Sequence, residues 1–558
     1  MKKTLKKSSF VEGTVIATLA IVFTKILGML YVIPFYNMLD GKGTALYGYA
    51  YSIYIVFLDI SSAGLPIAIS KIISEYNALG KKEAKVRSYK IGRNIMVLIA
   101  IAVWLFLFIF ARQVAHLMLG NLEGGNTLSD VALAIRSVSF AILIVPFLSV
   151  TKGYLQGHKI INIPSYSQVI EQVVRISVIL LGTYFVINVF KGAVTTAVCI
   201  SVFAAFLAGL VAYIYIRIKM HNDKSGDIDI NEKYERDDIS NKEIVKKIFS
   251  YAIPFIIINI VGSCYNFIDL TLLVRTMDYL KLSPELVEFA STSVTTWAPK
   301  INMIVTSVAM GMSTSFIPTM VTAYTLNNWK EVNNKFNQAL QLLIFISLPM
   351  TVGLSMLAVP VWSIFYGYNV NGVYILALNV FTGLFINIYM IASSALQGLN
   401  KFKIVYLSTI CGFATNAALD VPLMILYSKI GIPPFLGAVT ASIIGYSLSI
   451  MITLISLRKQ CNMRYGKTWK TVCKMIVPML LMMLTVFGLG RIVPLNYNSK
   501  LSCLLYVIVN SIAGGLVYVL VSAKMKLFSE TFGKPMISRL VRKLTFGKVR
   551  IYEGEETE

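Results

Sequence analysis

The chain of 558 residues is 56% hydrophobic and only 14% charged, with a mean hydropathy of +0.70, against roughly 25% charge in soluble domains. That excludes an ordinary soluble enzyme and points to an all-α polytopic membrane protein. The formal net charge of +24 sits mostly in short loops between apolar runs, which favours anionic membrane lipids as electrostatic partners; no basic and aromatic alternation argues for nucleic acid.

Fourteen apolar runs, each near the roughly 20 residues that cross a bilayer, predict spans at 12–33, 46–69, 92–115, 131–151, 163–187, 193–216, 250–273, 289–320, 337–359, 372–396, 404–427, 436–456, 473–490 and 501–522. The first follows a basic N-terminus but lacks a small-residue cleavage site, so it is expected to remain as a span. The eighth is expected to bend or break, since it contains Pro299, Gly311 and Pro318. Of 51 Lys and Arg residues, 38 fall in the loops on the N-terminal side of the membrane and eight in the opposite set. Both termini are therefore expected in the cytoplasm.

The expected organisation is an N-lobe of six spans at 1–218, a polar cytoplasmic linker at 219–248, a C-lobe of six spans at 249–457, two extra spans at 458–523 and a basic cytoplasmic tail at 524–558. The tail reads either as an amphipathic helix on the membrane surface or as a basic segment that only enforces topology. The lobes resemble each other. Leu155-Gln156-Gly157 recurs as Leu396-Gln397-Gly398, Gly192-Ala193-Val194-Thr195 recurs as Gly437-Ala438-Val439-Thr440, and the pair Tyr76 and Glu83 recurs as Tyr324 and Glu331, at offsets of 241, 245 and 248. An even number of spans per copy gives both copies the same orientation, related by an axis along the membrane normal.

No catalytic constellation is visible. Six separated cysteines and three ungrouped histidines give no metal spacing, and no P-loop is present, so transport would draw on a gradient, the membrane potential or substrate supply. The informative residues are Lys25, Asp59, Arg136, Glu171, Arg175, Asp269, Lys300 and Asp420, which interrupt apolar spans. A charge facing lipid costs about 2.5–3.5 kcal/mol even on insertion scales, so such groups face partners or a water-filled cavity.

Lys25, Arg136, Arg175 and Lys300 together suit a phosphate or pyrophosphate on a lipid, although each alone could snorkel. Glu171 and Arg175, one turn apart, read as an internal salt bridge or as the wall of an anion-binding cavity. Asp269 with Asn266 one turn earlier reads as a cation or proton site, or as a packing and capping pair; Asp59 and Asp420 are further ion-coupling candidates.

The runs Tyr31-Val32-Ile33-Pro34-Phe35-Tyr36, Ala45-Leu46-Tyr47-Gly48-Tyr49-Ala50-Tyr51, Ala63-Gly64-Leu65-Pro66 and Gln168-Val169-Ile170-Glu171-Gln172-Val173-Val174-Arg175 resemble the polysaccharide-transporter branch of the multidrug/oligosaccharidyl-lipid/polysaccharide exporter superfamily. Within it the chain is most similar to the lipid II flippases and stage V sporulation B proteins of Gram-positive bacteria, over essentially its whole length. The resemblance implies a V-shaped transporter, not an enzyme, with a cavity opened alternately to each side of the bacterial cell membrane. Its substrate would be an undecaprenyl-pyrophosphate-linked saccharide, its tail held in a groove partly made by spans 13 and 14. Lys25 matches the basic position ahead of Ile-Leu-Gly, whereas Met29-Leu30-Tyr31-Val32-Ile33-Pro34 replaces the further basic and acidic pair of Gram-negative relatives.

The expected function is translocation of lipid II from the cytoplasmic to the outer leaflet, without a cofactor, coupled to Na+, H+ or the membrane potential, with cell-wall synthesis proteins as partners. Exporters of another lipid-linked saccharide share these features. A cation-coupled drug antiporter fits the intramembrane basic residues less well, and a saccharide-polymerising enzyme would need acid/base or metal residues that do not stand out in the outer loops.

Overall fold

The computed structural model describes residues 20–21, 23–62, 64–120, 125–222, 238–492 and 494–532. Most of the basic tail, from residue 533 on, most of the linker and the side chain of Asp59 lie outside that description.

Residues 23–30 are helical and turn at Tyr31 into α1 (Val32–Met38). The following helices are α2 (Gly41–Ser62), α3 (Leu65–Ala78), α4 (Lys82–Ile109), α5 (Ala111–Leu119), α6 (Leu128–Gly157), α7 (Asn162–Tyr184), α8 (Val194–His221), α9 (Asn241–Tyr279), α10 (Pro284–Thr292), α11 (Ala298–Thr325), α12 (Trp329–Met356), α13 (Ala358–Tyr366), α14 (Val370–Gly398), α15 (Phe402–Lys429), α16 (Phe435–Cys461), α17 (Gly466–Ile492), α18 (Lys500–Lys524) and α19 (Leu527–Phe532). Ten of them, counted among the described residues, are long and apolar enough to span a bilayer. The other four expected spans fall partly on 23–38, where residues 12–19 and 22 of the first expected span lie outside the description, and on α2, α9 and α11, which contain side chains outside it.

Two spans differ from expectation, and the eighth shows the irregularity expected of it. The second does not run to residue 69, because α2 ends at Ser62 and Gly64 takes a left-handed φ of +78° before Pro66 opens α3. The third starts early, at Lys82, since its Lys, Glu, Ala and Arg residues are good helix formers, and it gives way to the separate α5. The eighth is interrupted before Pro299, by a π-helical turn at Ser293–Trp297, and continues as helix through Gly311 and Pro318. Pro299 has no N–H to return to Thr295, and the wider turn falls where that bond is missing.

The helix order repeats. The starts of α4 and α12 are 247 residues apart, as are those of α5 and α13. The repeated Leu-Gln-Gly ends α6 and α14 with the same cap: Ile160 N–H donates to Leu155 O at 3.0 Å and Lys401 N–H to Leu396 O at 2.8 Å. Lys159 and Asn400 turn through left-handed φ values of 61° and 58°. This is the left-handed C-terminal cap that satisfies a helix's last carbonyls.

By internal contacts the chain divides into residues 1–303 with 409–445, and 304–408 with 446–558, a division different from the lobe boundaries expected from sequence. In the first unit, α6 packs against α2, α3, α4 and α8. Gly153 allows it close to α3, where a Cβ would lie 2.4 Å from Pro66 O. Tyr89 and Tyr154 lie at the buried centre, rings 4.5 Å apart, with the Tyr89 hydroxyl 3.1 Å from that of Thr151. In the second unit, α12 packs on α14 and α17, and α17 on α18. There the Tyr518 hydroxyl donates to Phe345 O at 3.0 Å beside buried Met475 and Met482.

Candidate substrate cavity and ion site

Within the first unit, a cavity of about 340 Å³ opens between 23–31, α2, α6, α7 and the start of α11. Each wall follows from helical spacing. Tyr47 and Tyr51 lie one turn apart on α2, while Gln168, Glu171, Gln172 and Arg175 form one stripe of α7. The sequence-predicted Lys25, Glu171, Arg175 and Lys300 all line this cavity.

Lys152, counted in sequence as a loop residue, joins them from α6. Its Nζ lies 3.0 Å from Glu171 Oε2, and Arg175 Nη2 lies 2.8 Å from Glu171 Oε1. Arg175 Nε is buried without a hydrogen-bond partner. Lys300 donates to the Tyr31 hydroxyl at 2.8 Å, and its ammonium lies 4.9–5.1 Å from the ring centres of Tyr31, Tyr47, Tyr51 and Trp297. Tyr47 stacks on Trp297, 5.7 Å between centroids. Such faces stabilise a desolvated cation by about 2 kcal/mol. Lys25 makes no hydrogen bond or ion pair among the described residues.

Arg136 is not part of this group. Its Nε donates to Phe108 O at 3.1 Å, and the guanidinium lies 5.7 Å from the Phe108 ring, so it closes the end of α4. Four basic side chains against one carboxylate leave the cavity net positive, in a low-dielectric wall where an anion with two charges is strongly favoured.

A second polar cluster lies on α9, α15 and α16, away from the cavity lining. Asp269 Oδ1 accepts from Asn416 Nδ2 at 2.5 Å and Oδ2 from Ser442 Oγ at 2.9 Å. Asp420, fully buried one turn after Asn416, lies beside Asp269, the two carboxyls within reach of a shared proton, and Asn416 Oδ1 is buried without a hydrogen-bond partner. Asn266 takes no part in these bonds. Uncharged Asn416 and Ser442 carry no sequence signal of their own; only their spacing from Asp420 and the α9 contact assembles the group.

The second unit holds an apolar groove of about 290 Å³ between α12, α17 and α18, lined by residues including Met350, Leu354, Met482, Val486 and Tyr518.

Residues 10–324 match the family described as Polysaccharide biosynthesis protein, and residues 286–421 match MatE. The chain is 28% identical to Lipid II flippase MurJ of Bacillus subtilis (strain 168) over 540 residues, 94% of this chain and 97% of that protein. It is 25% identical to Stage V sporulation protein B of the same organism over 462 residues, 81% and 83% of the two chains. Its fold is similar to that of a solved lipid II flippase MurJ in an inward closed conformation, with a TM-score of 0.68 and 16% identity over 92% of this chain and 99% of that one.

Proposed function

Since the chain belongs to the polysaccharide biosynthesis protein family, membrane transporters of the multidrug/oligosaccharidyl-lipid/polysaccharide exporter superfamily, we propose that it is a flippase. It moves an undecaprenyl-pyrophosphate-linked peptidoglycan precursor, lipid II, from the cytoplasmic to the outer leaflet of the bacterial cell membrane. The observation that carries this reading is the net-positive cavity holding Lys25, Lys152, Arg175 and Lys300.

A pyrophosphate crossing hydrocarbon alone would pay the full desolvation of two charges. Fixed ammonium and guanidinium groups replace that lost water with charge-assisted hydrogen bonds. Lys25, with no internal partner among the described residues, makes the first contact; the polyprenyl tail remains in lipid. Alternating access then carries only the polar headgroup across. Asp269, Asp420, Asn416 and Ser442 are the site through which Na+ or a proton drives the cycle, because two buried carboxyls together demand a compensating cation.

Reconstitution in liposomes, with labelled lipid II scored by its exposure to an external enzyme, tests the reading. Lys25→Ala and Arg175→Ala are each expected to lower the exposure rate about tenfold, the value of one charged hydrogen bond. A folded, inserted protein that exposes no lipid II under any imposed ion gradient or potential would move the substrate to another lipid-linked saccharide.

A further inference from the structure

Three of the four cavity cations are already satisfied from within the chain. Lys300 is held by the Tyr31 hydroxyl and four aromatic rings, while Lys152 and Arg175 share Glu171. Glu171 gives one oxygen to a lysine of α6 and the other to an arginine of its own helix. That is the donor arrangement a phosphate accepts, and the unpartnered Arg175 Nε keeps a further N–H in reserve.

Resting on the flippase reading above, we propose that Glu171 is an intramolecular stand-in for the substrate phosphate: it holds Lys152 and Arg175 together in the empty cavity, competes with the pyrophosphate for them, and sets the rate of headgroup release. Without a carboxylate between them, two neighbouring cations on adjacent helices would repel in a poorly screened wall. With it, the cavity stays ordered when empty, and an incoming phosphate exchanges for one anion rather than capturing bare cations. Release reverses the exchange. A transporter that bound the headgroup with every cation fully available would bind tightly and turn over slowly, because affinity spent on the bound state deepens the well from which the product must leave. Glu171 is thus a positioning residue, and its role predicts a gain of affinity on removal, opposite to a merely structural part.

The test uses the full-length protein in nanodiscs, with undecaprenyl pyrophosphate and undecaprenol as binding probes and lipid II exposure as the turnover readout. Glu171→Gln is expected to bind undecaprenyl pyrophosphate about tenfold more tightly and to flip lipid II more slowly. Glu171→Asp, too short to reach both cations, is expected to shift both quantities the same way by about threefold and serves if the first variant does not fold. Unchanged or weaker binding in the folded variants overturns the inference while leaving the flippase reading standing. If the wild type binds undecaprenyl pyrophosphate no better than undecaprenol, the headgroup reading and this inference fall together.

Discussion

Asp420 bears the clearest expectation for a single side chain, since its buried carboxyl lies against that of Asp269, whose oxygens each accept a further bond, from Asn416 and Ser442. Asp420→Asn removes the negative charge that a coupling cation would neutralise. Lipid II exposure should then lose its dependence on imposed Na+ and pH gradients; a full response in that variant would place the coupling elsewhere. Just before the eighth expected span, Glu288 is 3% exposed and accepts from Asn126 N–H at 2.6 Å and from its Nδ2 at 3.0 Å. Burial raises its carboxyl above the usual range, partly opposed by those bonds and by Lys42, with Asp40 adding to the rise. A carboxyl raised in the folded state adds stability that is complete below its unfolded value and is lost as pH climbs through the folded one. Thermal unfolding should therefore show a loss of stability above pH 4.5 that Glu288→Gln flattens. Lys25, Glu171, Arg175 and Lys300 were legible because a charge inside an apolar run needs a reason. Lys152 was hidden at a span end, and the tyrosines around Lys300 look like ordinary core until α2 and the π-helical turn bring them to one ammonium. Arg136 carries the same signal as Lys25 and lies outside the cavity lining, bonded to Phe108 O at the end of α4.

Among the elements, the break between α2 and α3 depends most on one residue. Gly64→Ala would force a side chain into a left-handed conformation, costing about 1–2 kcal/mol, and its Cβ would meet Ala252 O at 2.5 Å. A lower melting temperature is expected, and an unchanged one would show that the break tolerates a Cβ. Apolar run length set the spans well where caps coincide with the ends of the runs, as at Thr127, whose side chain accepts from Asp130 N–H to open α6. It ran parts of α5, α10 and α13 into the third, eighth and ninth spans, because a continuous apolar run does not show where a helix of nine residues separates from its neighbour. The irregularity expected in the eighth span is found beside the first of its prolines, as the π-helical turn before Pro299, while the later Gly311 and Pro318 continue as helix.

For the molecule as a whole, the division of 38 basic residues against eight predicts an orientation that labelling can check. In a variant without its six native cysteines, Glu285→Cys should react with an impermeant thiol reagent from outside the cell, and Lys242→Cys only after permeabilisation. The reverse pattern would invert the topology and with it the direction of transport. Fold class and span order follow from hydropathy and charge because the bilayer imposes them directly. The two compact units follow from side-chain packing, which hydropathy does not encode. The shared Leu-Gln-Gly cap carries a further meaning. At its offset of 241 residues, Arg175 corresponds to Asn416, so one position of the repeated helix presents a guanidinium to a carboxylate in the first copy and a neutral amide to a carboxylate in the second, and the two copies differ there by a full charge.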